Sequence, residues 1–78
     1  MLYDKLVVVQ VLPEMDEGGV EIETLDQAIY LADRGHKSIV ISGGGRLVSK
    51  LEKAGCHHVT WPGIGKKNLS CLKYIRQF

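Results

Sequence analysis

The chain has 78 residues, a formal net charge of +1 and 45% hydrophobic residues, which describes one small domain able to bury only about 60% of the surface its unfolded chain exposes. Two cysteines, Cys56 and Cys71, exclude a disulfide framework and fit a reducing, cytoplasmic setting. No run approaches the ~20 apolar residues of a membrane span, and Met1–Lys5 leads into a short apolar run closed by Pro13, unlike a secretory signal.

The near-neutral total hides a division. Residues 1–33 carry Lys5 against eight acids (Asp4, Glu14, Asp16, Glu17, Glu21, Glu23, Asp26 and Asp33), a net −7. Residues 34–78 carry nine basic side chains against Glu52 alone, a net +8. Such asymmetry suits a phosphate-bearing or membrane-surface partner for the second half. It equally suits two halves that neutralise one another.

Taken in order, Lys5–Leu12 is a β-branched run, apolar on both faces, as expected of a parallel strand covered on each side. Pro13 ends it. From Val20 to Arg34 the period becomes helical, with Ile22, Leu25, Ala28, Ile29 and Ala32 on one face. Glu21 and Glu23 suit the positive end of that helix, Arg34 the negative end, and Gly35 the position just beyond it. Residues 37–42 read as a second strand, followed by Gly43-Gly44-Gly45, where a backbone can turn sharply and a ligand can come close. A short helix over 46–54 buries Leu47, Val48, Leu51 and Ala54 and stops at Gly55. Residues 57–61 form a third strand. After Pro62-Gly63-Ile64-Gly65, Asn68 caps a last helix over 69–77 with Leu69, Leu72 and Ile75 inward.

The expected order is β-α-β-α-β-α in a single domain over 1–78. That is an α/β fold with a three-stranded parallel sheet of order 3-2-1 and right-handed crossovers, half of a Rossmann-like domain. Ligands of such folds bind beyond the carboxyl ends of the strands. There lies Leu12–Glu21, a strand-to-helix turn with Gly18-Gly19 just before the helix, where free N–H groups and the helix dipole favour an anion, typically a phosphate. A dinucleotide fingerprint would need Gly-x-Gly-x-x-Gly in this turn and an acid after the second strand. The chain has Gly-Gly and Ser42-Gly43, which argues against an oxidoreductase fragment.

Other residues invite chemistry. Cys56-His57-His58 resembles a metal set, but adjacent strand residues point to opposite faces and cannot easily share an ion. Cys56 lacks a helix N-terminus to lower its thiol pKa. Glu14, Asp16 and Glu17 could serve as acid/base groups, and solvated loop acids explain them as well. Trp61 fits a sugar stack or a half-buried strand end. Lys66 and Lys67 fit an acidic acceptor or membrane phosphates, or an exposed loop.

The blocks Val11–Glu21, Thr24-Leu25, Leu31–His36 and Ile41–Val48, followed by Leu51-Glu52 with Gly55 and by Pro62 with Gly65–Asn68, resemble the N-terminal part of a family 4 (group 1) retaining glycosyltransferase of the GT-B type. Enzymes of that kind build lipopolysaccharide and capsular polysaccharide. The resemblance implies an acceptor-domain segment that helps move a sugar from a nucleotide-sugar donor to a glycan or lipid-linked acceptor. It places the donor diphosphate against Gly18 and Gly19, where helix N–H groups would stabilise the departing charge. It puts Glu17, Ser42, Gly43, Gly44, Lys66 and Lys67 on the acceptor side. No cofactor, no metal and no nucleic acid are implied. The setting would be cytoplasmic, at or near the inner face of a membrane. The glutamates and basic residues that grip the nucleotide in such enzymes belong to a second domain. These residues alone are therefore expected to be a fragment or truncated product without turnover. The alternative is a small non-enzymatic binding or assembly module. In a sheet of order 3-2-1 the first strand is an edge, and a bare Val7–Val11 edge would drive self-association.

Overall fold

The computed structural model describes residues 5–61 and, for backbone only, 72–77. The elements are β1 (Leu6–Val11), α1 (Gly19–Asp33), β2 (Lys37–Ser42), α2 (Val48–Lys53), β3 (His57–Thr60) and β4 (Leu72–Gln77). β1, β2 and β3 are mutually parallel, and β4 runs antiparallel beside β1, giving the order β3-β2-β1-β4.

The α/β class and the three parallel strands agree with the sequence reading. The end of the chain does not. The segment expected to continue a last helix to Gln77 is a strand over Leu72–Gln77, and the sheet has four strands. The reason lies in β1. A β-branched strand with one open edge offers a row of unpaired N–H and C=O groups. Leu72–Gln77 fills that row in register, from Leu6 opposite Gln77 to Val11 opposite Leu72. A short segment of mixed propensity takes the conformation its tertiary neighbour rewards. So β1 is paired on both sides, and the bare edge on which self-association was expected to rest does not exist. The Asn68 cap lies outside the described residues.

Residues in register on neighbouring strands share a face. Val8, Gln10 and Leu12 therefore align with Ser38, Val40 and Ser42, and these six are buried. Against this face pack α1 and α2, through Leu25, Ala28, Leu47, Leu51 and the fully buried Met15. Two helices on one side follow from right-handed crossovers that step in one direction across the sheet. Within α1, Thr24 is buried while Ile22 is 44% exposed. The stripe facing the sheet centres on Thr24, Leu25 and Ala28, and Ile22 falls at its margin.

Both helices end alike. Gly35 N–H donates to Ala32 O and His36 N–H to Leu31 O; Gly55 N–H donates to Glu52 O and Cys56 N–H to Leu51 O. These paired 5→2 and 6→1 bonds are Schellman caps. They feed each helix straight into the next strand. At the first exit, His36 Nδ1 accepts Leu6 N–H at 3.0 Å, and Arg34 stacks over Tyr30 at 3.7 Å instead of serving only the helix dipole.

The pairing of β4 with β1 is directly observable. NOESY spectra should connect Val9 with Tyr74 and Val8 with Ile75 across an antiparallel ladder. Sequential helical cross-peaks over 72–77 would restore the expected helix.

Candidate functional site

The carboxyl ends of β1 and β2 extend into two loops that clasp one another. Beyond the strands, Leu12 N–H donates to Ile41 O, Gly43 N–H to Pro13 O at 2.8 Å, Met15 N–H to Gly44 O at 2.9 Å and Leu47 N–H to Met15 O at 2.8 Å. Asp16 Oδ1 accepts Arg46 N–H at 3.0 Å, and Arg46 also lies 3.9 Å from Glu17 in an exposed ion pair, worth little by itself. The clasp demands glycine where the loops touch. Gly45 has φ +152°, and a Cβ there would stand 2.4 Å from Met15 O. The Gly43–Gly45 turn thus serves close approach of backbone to backbone. Gly43 and Gly44, expected on the acceptor side, spend their N–H groups inside the chain.

Ser42 is fully buried. Its Oγ accepts Gly44 N–H at 3.1 Å and lies 2.6 Å from His58 Nε2. Burial lowers the His58 pKa from 6.5, with Glu52 opposing, so the ring is neutral at pH 7. Ser42 Oγ and His58 Nε2 share one hydrogen bond, and His58 Nδ1 lies 3.5 Å from Thr60 Oγ1. A nucleophilic serine must be reachable, and this one is not. The Ser-His pair closes the loop end rather than attacking a substrate. Burial likewise raises the Cys56 thiol pKa. The Ser38 hydroxyl opposes this, although its geometry leaves Ser38 Oγ without a hydrogen bond among the described residues. His57 is exposed on the opposite face from His58. Among the described residues no group of three His, Cys, Asp or Glu side chains could hold a metal.

Gly18 and Gly19 stand apart from the clasp. Gly18 is the N-cap of α1 with φ −76° and ψ 170°, an extended conformation open to any residue, and no side chain caps the helix. A Cβ on Gly19 would meet nothing within 4 Å. A side chain at Gly19 would thus enter open space, beside a first turn that no side chain caps. The carboxylate of Glu21 nevertheless folds back over Gly18, 2.6 Å from where a Cβ would be. Glu17 is exposed on the same turn. The structure thus brings Glu17, Gly18, Gly19, Ser42, Gly43 and Gly44 to the carboxyl end of the sheet. Lys66 and Lys67 lie outside the described residues. Sequence reasoning missed Met15, Asp16 and Arg46 as the loop connection, and Ser42 with His58; only the position of Ser42 at a strand end hinted at a role.

Compared with family models, with curated proteins and with solved structures, the chain gives no match in any of the three. Among the described residues, no helix is long and apolar enough to cross a membrane.

The two glycine groups should respond oppositely to alanine. Gly19→Ala has room and a helical backbone, and should leave stability unchanged or raise it by up to about 1 kcal/mol. Gly45→Ala meets both strain and a backbone clash, and should cost about 2 kcal/mol or more; urea unfolding followed by circular dichroism reads both. A second test concerns His58. The unfolded ring takes up a proton near pH 6.5, while the folded ring resists it. The unfolded state therefore binds more protons on acidification, and stability falls as pH drops below about 6.5, levelling off below the lowered folded pKa. Between about pH 7.5 and about pH 5.5 the urea midpoint should fall more for the native chain than for His58→Gln. Equal declines would show that His58 plays no part.

Proposed function

We propose that the chain is an acceptor-domain segment of a sugar-nucleotide-dependent glycosyltransferase, of the kind its sequence blocks resemble, with a half-Rossmann core. It binds weakly and does not turn over by itself. One observation carries the reading: the uncapped first turn of α1, with open space beside Gly19, stands at the carboxyl end of a central parallel strand. That is where α/β sheets receive phosphates. A nucleoside diphosphate leaving a sugar donor would accept hydrogen bonds from the first-turn N–H groups. Glu17 borders the site. Ser42, Gly43 and Gly44 contribute only through the neighbouring clasp, because their N–H and Oγ groups are already bonded within the chain. The acceptor would be a glycan or a lipid-linked sugar, and the setting cytoplasmic, at the inner face of a membrane that Lys66 and Lys67 could contact.

A second reading has its own support. A doubly wound sheet of order 3-2-1 continues with a further parallel strand beside the first. Here that place holds an antiparallel strand, which suits a small self-contained binding or assembly module.

Titration with uridine diphosphate, followed by amide chemical shifts, separates the two. The glycosyltransferase reading expects millimolar binding with shifts centred on Gly19 and Val20, lost in Gly19→Val, and no sugar transfer to glycan acceptors. Absence of any shift at saturating millimolar nucleotide would favour the assembly module. Robust transfer would overturn the claim that the chain is inactive alone.

A further inference from the structure

The loop clasp is tied to one titratable side chain by a continuous run of hydrogen bonds. His58 Nε2 meets Ser42 Oγ at 2.6 Å, Ser42 Oγ accepts Gly44 N–H at 3.1 Å, and Gly44 O accepts Met15 N–H at 2.9 Å. The run passes from β3, over the end of β2, to the loop after β1. Ser42 and Met15 are fully buried, while the ring of His58 is only half-buried.

A neutral ring suits this arrangement and a charged one does not. Neutral imidazole shares one hydrogen bond with Ser42, which keeps a lone pair for Gly44 N–H. A protonated ring carries hydrogen on both nitrogens, so Nε2 can only donate. Whichever nitrogen holds the proton of the neutral ring, protonation sets a full charge against a hydroxyl that water does not reach. Little nearby answers that charge. On α2, which packs against β3, the charged residues are Lys50, Glu52 and Lys53, and of these Glu52 alone favours the cation. On β2 the one charged residue is Lys37, at the far end of the strand, and His57 on β3 faces the other side. In the loops, Asp16 accepts Arg46 N–H and Glu17 pairs with Arg46. Burial prevails and holds the His58 pKa below 6.5. A ring that has left Ser42 for solvent therefore takes up a proton more readily than one in place.

We propose that His58 is an acid-sensitive latch on the clasp: as its ring takes up a proton it leaves Ser42, and the turn at residues 43–45 releases Met15 N–H while the sheet and helices stay folded. The release stays local because two bonds nearer the strands, Leu12 N–H to Ile41 O and Gly43 N–H to Pro13 O, do not run through the Ser42 side chain. The device follows from the clasp and does not depend on the glycosyltransferase reading.

Amide hydrogen exchange followed by NMR tests it, with rates corrected for the intrinsic effect of pH and expressed as protection factors. Between about pH 7.5 and about pH 5.5 the released ring becomes charged, since its ordinary pKa is 6.5, and protection of the Gly44 and Met15 amides should fall by up to about tenfold. The Leu12 and Val40 amides should keep theirs. His58→Gln, whose side chain does not titrate, should show no such fall. Asp16→Asn, at the other charged contact of the clasp, should show it undiminished. Constant protection at Gly44 and Met15, a loss shared by Leu12 and Val40, a fall that persists in His58→Gln, or one abolished by Asp16→Asn would overturn the proposal. If His58→Gln does not fold, the native profile decides through the first two outcomes.

Discussion

The rest of the structure depends on the backbone clasp between the loop after β1 and the loop after β2. Parallel strands leave their carboxyl ends as free loops, and nothing in strand pairing itself decides where those loops go. Here the pairing continues past the strands through Pro13 O, Met15 N–H and O, and Gly44 O. Met15 is drawn to full burial and caps the core between α1 and α2. The clasp fixes the departure point of α1 and the start of α2 at once, since Leu47, which bonds to Met15 O, is also buried in that core. Backbone bonds of this kind, shielded by a buried side chain, are costly to leave unmade. That accounts for a conformation at Gly45 that other residues resist.

Much of this was legible in the sequence. The β-branched runs at Leu6–Val11 and Lys37–Ser42 and the three- and four-residue spacing of Leu25, Ala28, Ile29 and Ala32 are strong periodic signals. Gly35 and Gly55 marked the helix exits, where the Schellman bonds are found. The last element was misread because Leu69, Leu72 and Ile75 recur at a helical spacing, while Leu72–Gln77 carries no clean strand alternation to oppose that reading. Short ambiguous segments are settled by what they pair with. The sequence announced the open edge of β1, and the same chain supplies the strand that closes it. An edge that invites pairing is filled first by the segment with the highest effective concentration, and that is a segment tethered to it.

The site was legible in outline and not in the division of labour among its glycines. Gly18-Gly19 and Gly43-Gly44-Gly45 look alike as letters. Folded, the second group is consumed by the approach of Met15 and Asp16, while Gly19 faces open space with no backbone requirement for glycine. Gly19 is thus a glycine that neither a positive φ nor an internal neighbour explains. Contacts between loops of high sequence separation decide this distinction, and no local pattern encodes them.

Electrostatics then set how strong such a contact can be. Alignment with the helix end favours an anion by roughly 0.3–1 kcal/mol at an exposed position. A carboxylate within about 4 Å of the anion opposes it by about 1 kcal/mol in water and more where solvent is thinned. Glu21 lies over Gly18, so the two effects nearly cancel until Glu21 swings away. Its side chain is flexible and only half-buried, which makes that movement cheap, but it yields space rather than attraction. Of the nearby cations, Arg46 pairs with Glu17 at 3.9 Å, while Lys5, Arg34 and Lys37 stand at the opposite end of the parallel strands and Lys50 and Lys53 on α2. On the proposed reading, the turn would admit a phosphate without holding it tightly. Glu17 and Glu21 leave the turn acidic, so tight retention would call for further cations.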